Sequence, residues 1–289
     1  MRDDWSNAIA DAISEATSTR FAVQSSRPCG GGCINDSHLL KGENDRYFVK
    51  LNDASSQAMF AAEARGLEAI VATGAIRAPR PITHGLAGQR AFLVLEAIRF
   101  DRPPADWSQM GRQLATMHRQ TSDQFGWPEN NFIGSAPQSN SWSQSWPEFF
   151  RDQRLRPQFD WAARNGNPIP GANKLLDHVE GLLAEHAPAP SLLHGDLWSG
   201  NAAYDNEGRP VVFDPACYYG DREADLAFTE MFGGFPNSFY HAYNEAWTIP
   251  VGYKRRKRLY NLYHIVNHAN LFGGGYYTQA ESIVARLLA

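Results

Sequence analysis

Three polar side chains in the second half of the chain have types and spacing that favour chemistry. Asp196 lies in the segment His194-Gly195-Asp196, Asn201 follows Asp196 by five residues, and Asp214 follows it by eighteen. Short apolar runs that predict strands precede both aspartates. Asp and Asn are also favoured at turns and caps. Three such residues at this spacing between two apolar runs are better explained as one site.

The order of these residues is that of a kinase catalytic loop: a strand, His-x-Asp, an Asn, a second strand and an Asp. Phosphoryl transfer needs an aligned acceptor hydroxyl and neutralised phosphate charge more than covalent help from the protein. Asp196 is therefore predicted to hold the acceptor hydroxyl and to take its proton. Asn201 and Asp214 are predicted to bind Mg²⁺, which prefers hard oxygen ligands. His194 is predicted to support the loop by hydrogen bonding.

A lysine in the first half of the chain is the predicted partner of the ATP phosphates. Lys50 ends the apolar run Phe48-Val49 and occupies the place of the kinase lysine that pairs with the α- and β-phosphates. In the helical pattern that follows, Glu63 is the predicted ion-pair partner of Lys50, and Glu68 is the second candidate. A lysine at a strand end is often only a surface charge, but these acids and the glycines upstream favour a functional role.

Two further segments are predicted to contact the nucleotide. Gly30, Gly31 and Gly32 lie between the first two predicted strands, where glycines let backbone N–H groups approach phosphates without a Cβ in the way. Such a run can also be a simple turn. The segment 93–96 is the predicted hinge that meets the adenine edge, and Glu96 is its candidate side chain. A purely structural role for Glu96 is an equal alternative.

An acidic segment after the second aspartate predicts a helix that supports the loop. Residues 220–227 read Gly-Asp-Arg-Glu-Ala-Asp-Leu-Ala, with Asp221 placed to cap the helix and acids in its first turn. Kinase-like folds often place an acid of such a helix beneath the catalytic loop. Asp225 is predicted to have this structural role rather than to bind metal or substrate.

The apolar pattern predicts an α+β, two-lobed fold of the protein-kinase type. The N-terminal lobe, residues 1–97, is predicted to be an ATP-binding antiparallel sheet with one main helix. The larger, mostly helical C-terminal lobe, residues 98–289, is predicted to carry catalysis and substrate binding. The elements behind this prediction are a helical pattern at 5–17, strands near 34–40 and 47–51 with a turn at 42–45, a helix at 55–72, strands at 81–84 and 91–95, and helices from about residue 106.

Composition and charge argue against nucleic-acid-binding, membrane-spanning and secreted proteins. The chain has 289 residues, 43% of them hydrophobic and 20% charged, which is typical of a globular protein. Its net charge of −4 argues against a nucleic-acid partner, and the basic cluster at 254–258 is interpreted as a solvated helix start. No apolar run suits a membrane span, and the first residues lack a signal-peptide core. Three cysteines without a usual metal-ligand spacing predict a reduced, cytoplasmic protein.

Over nearly its whole length the chain resembles the fructosamine kinases, also called ketosamine-3-kinases. His-x-Asp with a later Asn is shared with aminoglycoside and choline kinases, whereas Leu-Trp-Ser-Gly-Asn and Met-Phe-Gly-Gly-Phe are far more specific. The glycine-rich segment 271–276 is less expected. The resembling segments are Gly-Gly-Gly-Cys-Ile-Asn at 30–35, Phe-Val-Lys at 48–50, Phe-Gly-Trp at 125–127, His-Gly-Asp-Leu-Trp-Ser-Gly-Asn at 194–201, Asp-Pro-Ala at 214–216, Tyr-Tyr-Gly-Asp-Arg-Glu at 218–223 and Met-Phe-Gly-Gly-Phe at 231–235.

The resemblance implies an ATP- and Mg²⁺-dependent kinase that phosphorylates the 3-hydroxyl of ribulosamine or fructosamine adducts of lysine. Its partners would be ketosamine small molecules or glycated protein lysines, and the unstable product would shed its sugar in a deglycation, or protein-repair, reaction. Some members of the family handle shorter sugars better than fructosamines, and we expect that preference here. Trp198, two positions after Asp196, is predicted to stack on the sugar or the lysine stem, with core packing as the alternative.

The resemblance also implies a redox role for Cys33, which directly follows the glycine run. A phosphate-binding loop has a positive potential, which favours the thiolate and raises its reactivity. Oxidation would join Cys33 to the same residue of a second chain or to Cys29 of its own chain, so a monomer or a redox-linked dimer is expected. Packing beneath the loop is the alternative role of Cys33.

Two other function classes stay open from the sequence. One is an aminoglycoside-type small-molecule phosphotransferase. From residue 252 onward there are six Lys or Arg and one acid, whereas a site for polycationic aminoglycosides should favour acids. The other is a non-catalytic binding module on a kinase scaffold, which the intact set Lys50, Asp196, Asn201 and Asp214 argues against.

Overall fold

A computed structural model of the chain describes residues 4–30, 35–100 and 106–289. The chain forms two compact units, the first comprising Met1–Ala105 with Ala203–Asp214 and the second comprising Asp106–Ala202 with Pro215–Ala289. The segment that ends at Asp214 thus belongs to the same unit as the N-terminal residues, although it follows the predicted catalytic loop in sequence. The functions predicted for residues 1–97 and 98–289 stay predictions.

Helices and strands follow one another in the order that the apolar pattern predicts. The α-helices are α1 (Asp4–Thr17), α2 (Gln57–Ala72), α3 (Trp107–His118), α4 (Trp146–Phe149), α5 (Arg156–Arg164), α6 (Ala172–Leu183), α7 (Glu223–Thr229), α8 (Asn237–Ala246), α9 (Tyr253–Phe272) and α10 (Gly275–Leu287). The strands are β1 (Ser25–Pro28), β2 (Asp36–Lys41), β3 (Arg46–Asp53), β4 (Pro81–Ala87), β5 (Arg90–Glu96), β6 (Asn131–Ile133), β7 (Ala136–Gln138), β8 (Ser191–Leu193), β9 (Ala202–Tyr204), β10 (Pro210–Val212) and β11 (Tyr218–Gly220).

The first unit is built on a five-stranded antiparallel sheet with the strand order β1-β2-β3-β5-β4. The predicted hairpin between β2 and β3 is confirmed, and its turn is closed by a hydrogen bond of 2.8 Å from Gly42 N to Asp45 O. β5 lies between β3 and β4, so it is hydrogen-bonded on both sides. Lys50 was predicted at the end of a strand, but β3 continues to Asp53, so Lys50 lies within the strand and opposite Leu93 in the middle of β5.

The two faces of this sheet contact different helices. Ile9 and Ile13 of α1 pack with Val49 and Leu51 in one buried cluster. Successive side chains of a strand point to opposite faces, so Lys50 points away from α1. Lys50 contacts α2 on that other face. The apolar side chains of β3 therefore face α1, and Lys50 lies on the opposite face of the sheet.

A short hairpin, β9 and β10, completes the first unit and leads to Asp214. Arg77 holds it: Val212 N donates to Arg77 O at 2.9 Å, and Arg77 Nη1 lies 2.9 Å from Asp205 Oδ2. Asp205 is fully buried and also accepts hydrogen bonds from the main chain of Glu207 and from Arg209 in the hairpin turn. This network fixes the hairpin at the residues directly before Asp214.

The second unit is mostly helical, with small pairs of strands among its helices. α3 packs against α8, and α5, α7 and α10 pack against α9. β8 pairs antiparallel with β11, which sets Leu193 opposite Tyr218. Because the predicted catalytic loop begins directly after β8, this pairing determines where the loop starts.

Residues 121–147 are rich in Ser, Asn, Pro and Gly, which predicts a long loop whose aromatic residues pack against the rest of the protein. The structure has more regular structure there than this prediction allows. β6 and β7 form a small antiparallel hairpin within it, and Trp146 opens α4. Strands of three residues among polar residues give too little alternation to be recognised in a sequence. The aromatics Phe125 and Trp146 are buried as predicted, whereas Trp142 is 43% exposed and stacks on Tyr219.

The basic cluster at the start of α9 is only partly a solvated helix start. Arg256 is buried and makes a bidentate ion pair with Glu223, with both distances 2.7 Å. Lys257 pairs with Glu230 at 2.5 Å. Two of the five basic residues therefore pair within the unit. Among the described residues, every helix is too short or too polar to pass through a bilayer.

Candidate active site

The loop that carries Asp196 is held by hydrogen bonds to its main chain. The Asp225 carboxylate accepts a hydrogen bond of 2.7 Å from His194 N and one of 2.8 Å from Gly195 N. Ala216 N donates to His194 O at 2.8 Å from the other side. Asp225 is buried, and its two oxygens therefore fix two successive peptide groups of the loop. This is the arrangement that the structural role predicted for Asp225 requires.

A buried histidine that the sequence analysis missed fixes Asp225 in turn. His118 is the last residue of α3 and is fully buried. Its Nε2 lies 3.1 Å from Asp225 Oδ2, and its Nδ1 lies 2.8 Å from the Tyr243 hydroxyl. Burial alone would raise the pKa of Asp225, but contacts with His118, His194 and the Gly195 N–H outweigh burial and lower it. The signal in the sequence is a histidine on the apolar face of an amphipathic helix.

Gly195 is required where the loop turns. Its φ is +79°, and a Cβ built on it would lie 2.1 Å from Ala216 O. Both the backbone conformation and the close approach of the main chain at Ala216 exclude a side chain at this position. Protein kinases have an arginine between the His and the Asp of this motif, and these two constraints explain why this chain has glycine there instead.

We expect Gly195→Ala to lower the free energy of unfolding by about 2–3 kcal/mol and to reduce turnover strongly. The added Cβ forces the main chain of the loop away from Ala216. Thermal unfolding and initial rates measure the two effects. Gly181→Ala is the matched control, because the residue lies in α6 and a Cβ there meets no atom within 4 Å in the part of the chain that the structure describes. Equal effects of the two substitutions would contradict the assigned role of Gly195.

Asp196 and Asn201 lie together at the end of the loop. Asn201 Nδ2 donates to Asp196 Oδ2 at 3.0 Å and to Asp196 O at 2.8 Å. His194 is fully buried, and its Nδ1 accepts a hydrogen bond of 3.3 Å from Asp196 N. Because these contacts use the Asn201 amide nitrogen, Asn201 Oδ1 is the atom left to act as a ligand of a hard cation.

Trp198 lies on the same loop and is half-buried. Its ring rests against Gly200, where a Cβ would come within 2.3 Å of the ring, and meets Phe232 edge-on at 5.8 Å between centroids. The ring is therefore oriented by its own loop rather than enclosed in the core. Its predicted contact with substrate stays a prediction.

In the first unit, Lys50 makes two short ion pairs. Its Nζ lies 2.6 Å from Glu63 Oε1 and 2.6 Å from Asp214 Oδ1, and the lysine is 5% exposed. Burial alone would lower the pKa of Lys50, but the two carboxylates outweigh it and raise the pKa above its ordinary value. Lys50 therefore stays protonated. Burial raises the pKa of Glu63. Of the two candidate acids of α2, Glu63 is the partner, and Glu68 is exposed.

Asp214 is the more accessible member of this group. Its side chain is 46% exposed, and its φ of +58° is unusual for a residue other than glycine. Only Oδ1 contacts Lys50, so the second carboxylate oxygen is the atom offered to a cation. The sequence assigned Lys50 and Asp214 to different partners, and the ion pair between them was not predicted because 164 residues separate them.

Glu96 is engaged by arginines rather than directed to a nucleotide. Its Oε1 lies 2.6 Å from Arg77 Nη2, and its Oε2 accepts a hydrogen bond of 3.4 Å from Arg80 N. Because β5 is hydrogen-bonded on both sides, main-chain groups within 93–96 are used by the sheet. These contacts favour the structural role of Glu96, and a hinge that meets adenine through its main chain would begin after this residue.

The predicted phosphate-covering loop is only partly described. Gly30 is exposed, whereas Gly31, Gly32 and Cys33 lie outside the described residues. Cys29 is half-buried. The roles predicted for the glycine run and for Cys33 stay predictions.

The helix that carries Asp225 begins at Glu223, two residues after the predicted cap. Asp221 Oδ1 still accepts a hydrogen bond of 3.0 Å from Glu223 N, and its Oδ2 accepts one of 2.5 Å from the Tyr260 hydroxyl. His186 lies 2.7 Å from the same oxygen. With Arg256 on Glu223, these contacts make Asp221 and Glu223 members of a buried polar network that joins α7 to α9.

Known proteins match this chain over nearly its whole length. The fructosamine kinase family matches residues 5–289. A probable ketoamine kinase from Synechocystis sp. is 49% identical over 282 residues, covering 97% of this chain and 96% of the relative. The chloroplastic protein-ribulosamine 3-kinase of Arabidopsis thaliana is 42% identical over 261 residues, covering 88% and 80%. The crystal structure of a protein assigned as a fructosamine-3-kinase from Haemophilus somnus has a TM-score of 0.91 at 29% identity and covers 97% of both chains.

These similarities confirm three predictions made from the sequence: the family, the kinase-like fold and phosphotransferase activity. The predicted ketosamine substrate class agrees with the names of the relatives. The matched range includes the loop with Asp196 and the group around Lys50. The chain belongs to the fructosamine kinase family.

Proposed function

We propose that the protein transfers the γ-phosphate of ATP to the 3-hydroxyl of ketosamines, namely ribulosamine and fructosamine adducts of lysine. The phosphorylated product would shed its sugar, so the reaction would reverse glycation. The observation that carries the proposal is the loop with Asp196, which Asp225 holds through two main-chain hydrogen bonds and Asn201 holds at the carboxylate. Family membership and the names of the relatives support the substrate class.

In this mechanism Asp196 orients the acceptor hydroxyl and accepts its proton. Its carboxylate is positioned by Asn201 Nδ2 and its main chain by the contact with His194, so little reorganisation is needed when the substrate arrives. The protonated Lys50, held by Glu63, would pair with the α- and β-phosphates. Its buried ammonium would stabilise phosphate charge more strongly than a solvated lysine.

The types of donor atom on Asn201 and Asp214 suit a hard divalent cation. Asn201 offers a neutral amide oxygen and Asp214 a half-exposed carboxylate oxygen, which are the ligand types that Mg²⁺ takes in kinases. These residues would hold Mg²⁺, and the bound ion would neutralise charge on the phosphates. Asp214 would be the principal ligand of the ion, because its carboxylate is charged and the Asn201 amide is neutral.

The choice of sugar is tested by ketosamine-dependent ATP consumption with ribulose-lysine, erythrulose-lysine and fructose-lysine. We expect kcat/KM to be about tenfold or more higher for the shorter sugars than for fructose-lysine, because a site shaped for a shorter chain excludes the additional carbon. A higher value for fructose-lysine would contradict this preference.

The same assay separates the alternative functions. An aminoglycoside-type phosphotransferase would consume ATP with an aminoglycoside and not with a ketosamine, and a non-catalytic module would consume ATP with neither. Parallel assays with free ribulose-lysine and a ribosylated protein decide between free and protein-bound lysine. The cytoplasmic location stays a prediction.

A further inference from the structure

Beside the catalytic loop, five aromatic side chains from separate parts of the second unit meet in one chain of ring contacts. The ring centroids of Trp198 and Phe232 lie 5.8 Å apart, and those of Phe232 and His268 lie 5.2 Å apart. His268 also meets Phe272 at 5.6 Å and Tyr276 at 5.3 Å. We call these five residues the aromatic platform. It begins two residues after Asp196.

Phe232 is held in a conformation that costs free energy. Its φ is +52°, a region that bulky side chains rarely adopt, and its side chain is 41% exposed. Burial of the ring therefore offsets little of the strain. Strained residues that persist in this way cluster at sites of binding and catalysis. Phe232 meets Trp198 edge-on, and this contact beside the catalytic loop is a reason for the strained residue to be retained.

The glycine-rich turn after α9 completes the platform. Gly273 has φ 67° and ψ −144°, and Gly274 has φ 64° and ψ −145°, a combination open essentially to glycine alone. A Cβ at either position would meet no atom of the described residues within 4 Å, so conformation rather than space requires glycine. The turn reverses the chain so that Phe272, which is 59% exposed, and Tyr276 both reach His268.

His268 joins the platform as a neutral ring. Its Nδ1 donates a hydrogen bond of 2.7 Å to His264 O, which fixes the tautomer. Burial lowers the pKa of His268 below its ordinary value, so the ring is uncharged at neutral pH. Glu230, the acid two residues before Phe232, is paired with Lys257 and with the Tyr253 hydroxyl. The platform thus presents uncharged ring surface.

We propose that the aromatic platform binds the amine side of the ketosamine, that is, the protonated amine and the alkyl chain attached to the sugar. This inference rests on the proposed function. In a ketosamine the amine is on the first carbon and the reacting hydroxyl on the third, so a hydroxyl held at Asp196 keeps the amine within a few bonds of the loop that also carries Trp198. Ring faces attract a cationic amine and pack against methylene groups. Phe232 and Phe272 therefore determine which amine adducts bind well.

The decisive variant is Phe232→Gly, which removes the ring and relieves the backbone strain at the same position. We expect its Kd for ribulose-lysine, measured by calorimetry without ATP, to rise about tenfold. Its Kd for the ribulose adduct of glycine, which has no long alkyl chain, should rise much less. Its affinity for ATP should be unchanged. Its melting temperature should be unchanged or higher, because the strain at this position is relieved. A residue kept only for stability would give the opposite change in melting temperature.

Two further variants complete the test. Phe272→Ala changes a side chain that is 59% exposed, and we expect it to weaken ribulose-lysine binding in the same selective way. Trp142→Ala is the control, because Trp142 is exposed to a similar degree as Phe232 but stacks on Tyr219 instead. Unchanged ribulose-lysine affinity in both phenylalanine variants, with an active wild type, would overturn the platform alone. A wild type that binds no ketosamine at all would overturn the proposed function, and the platform with it.

Discussion

Asp196→Ala is expected to lower turnover by on the order of 10³-fold or more while ATP still binds. The substitution removes the proposed base, and it also removes the carboxylate that Asn201 Nδ2 contacts at 3.0 Å, so the acceptor hydroxyl loses both its proton acceptor and its orientation. Lys50 and Glu63 belong to the other compact unit and keep their ion pair. Initial rates of ketosamine-dependent ATP consumption and calorimetric titration with ATP measure the two properties separately.

Asp196→Asn sharpens this test. The amide keeps the size of the side chain and an oxygen that can accept from Asn201, but it cannot take the proton. Turnover should therefore fall nearly as far as in the alanine variant, with less disturbance of the loop. Asp160→Ala, which changes an exposed acid on α5, serves as the control. A folded Asp196→Ala protein with near-normal turnover would remove Asp196 from the mechanism.

Asp214→Asn is expected to reduce turnover by about 10²- to 10³-fold and to weaken the dependence of the rate on Mg²⁺. The substitution removes the charge from the proposed principal ligand of the cation. It also removes one of the two carboxylates that hold Lys50, although Glu63 remains. Asn201→Ala should have a smaller effect, part of which higher Mg²⁺ recovers, because a neutral ligand contributes less to cation binding.

The Mg²⁺ dependence of initial rates tests this order. Glu207→Gln is the matched control, because Glu207 is an acid on the turn of the same hairpin with a side chain that is 61% exposed. If both proposed ligand variants kept the Mg²⁺ dependence of the wild type, the ligand assignment would be wrong. If Asp214→Asn and Glu207→Gln lowered turnover equally, Asp214 would act only through surface charge and not as a ligand.

Local patterns in the sequence were sufficient for features that arise from neighbouring residues. Alternating apolar residues on either side of a polar turn predicted the β2–β3 hairpin, because a strand alternates its faces and such a turn reverses the chain. Helical periodicity predicted α2, and Glu63, the first candidate on that helix, is the residue that pairs with Lys50. The ends of these elements were less well predicted, since β4 and β5 extend beyond the predicted 81–84 and 91–95.

Contacts between distant segments were not predictable in this way. The ion pair between Lys50 and Asp214, the His118 contact with Asp225 and the Arg77 contact with Asp205 join residues that are 107 to 164 positions apart. Each pair depends on which helices and hairpins pack together, and a single sequence has no local periodicity that records such packing. The use of Glu96 by Arg77 is of the same kind, because it follows from the place of β5 inside the sheet.

The sequence by itself determined the chemistry expected of this protein: Asp196, Asn201 and Asp214 at their spacing, Lys50 in an apolar strand, and segments typical of one family. These features depend on residue type and order, which the sequence states directly. The tertiary structure decided how those groups are held: Asp225 and His118 beneath the loop, Glu63 and Asp214 on Lys50, and an aromatic platform assembled from separate segments. Burial and long-range packing determine these contacts, and both exist only once the chain has folded.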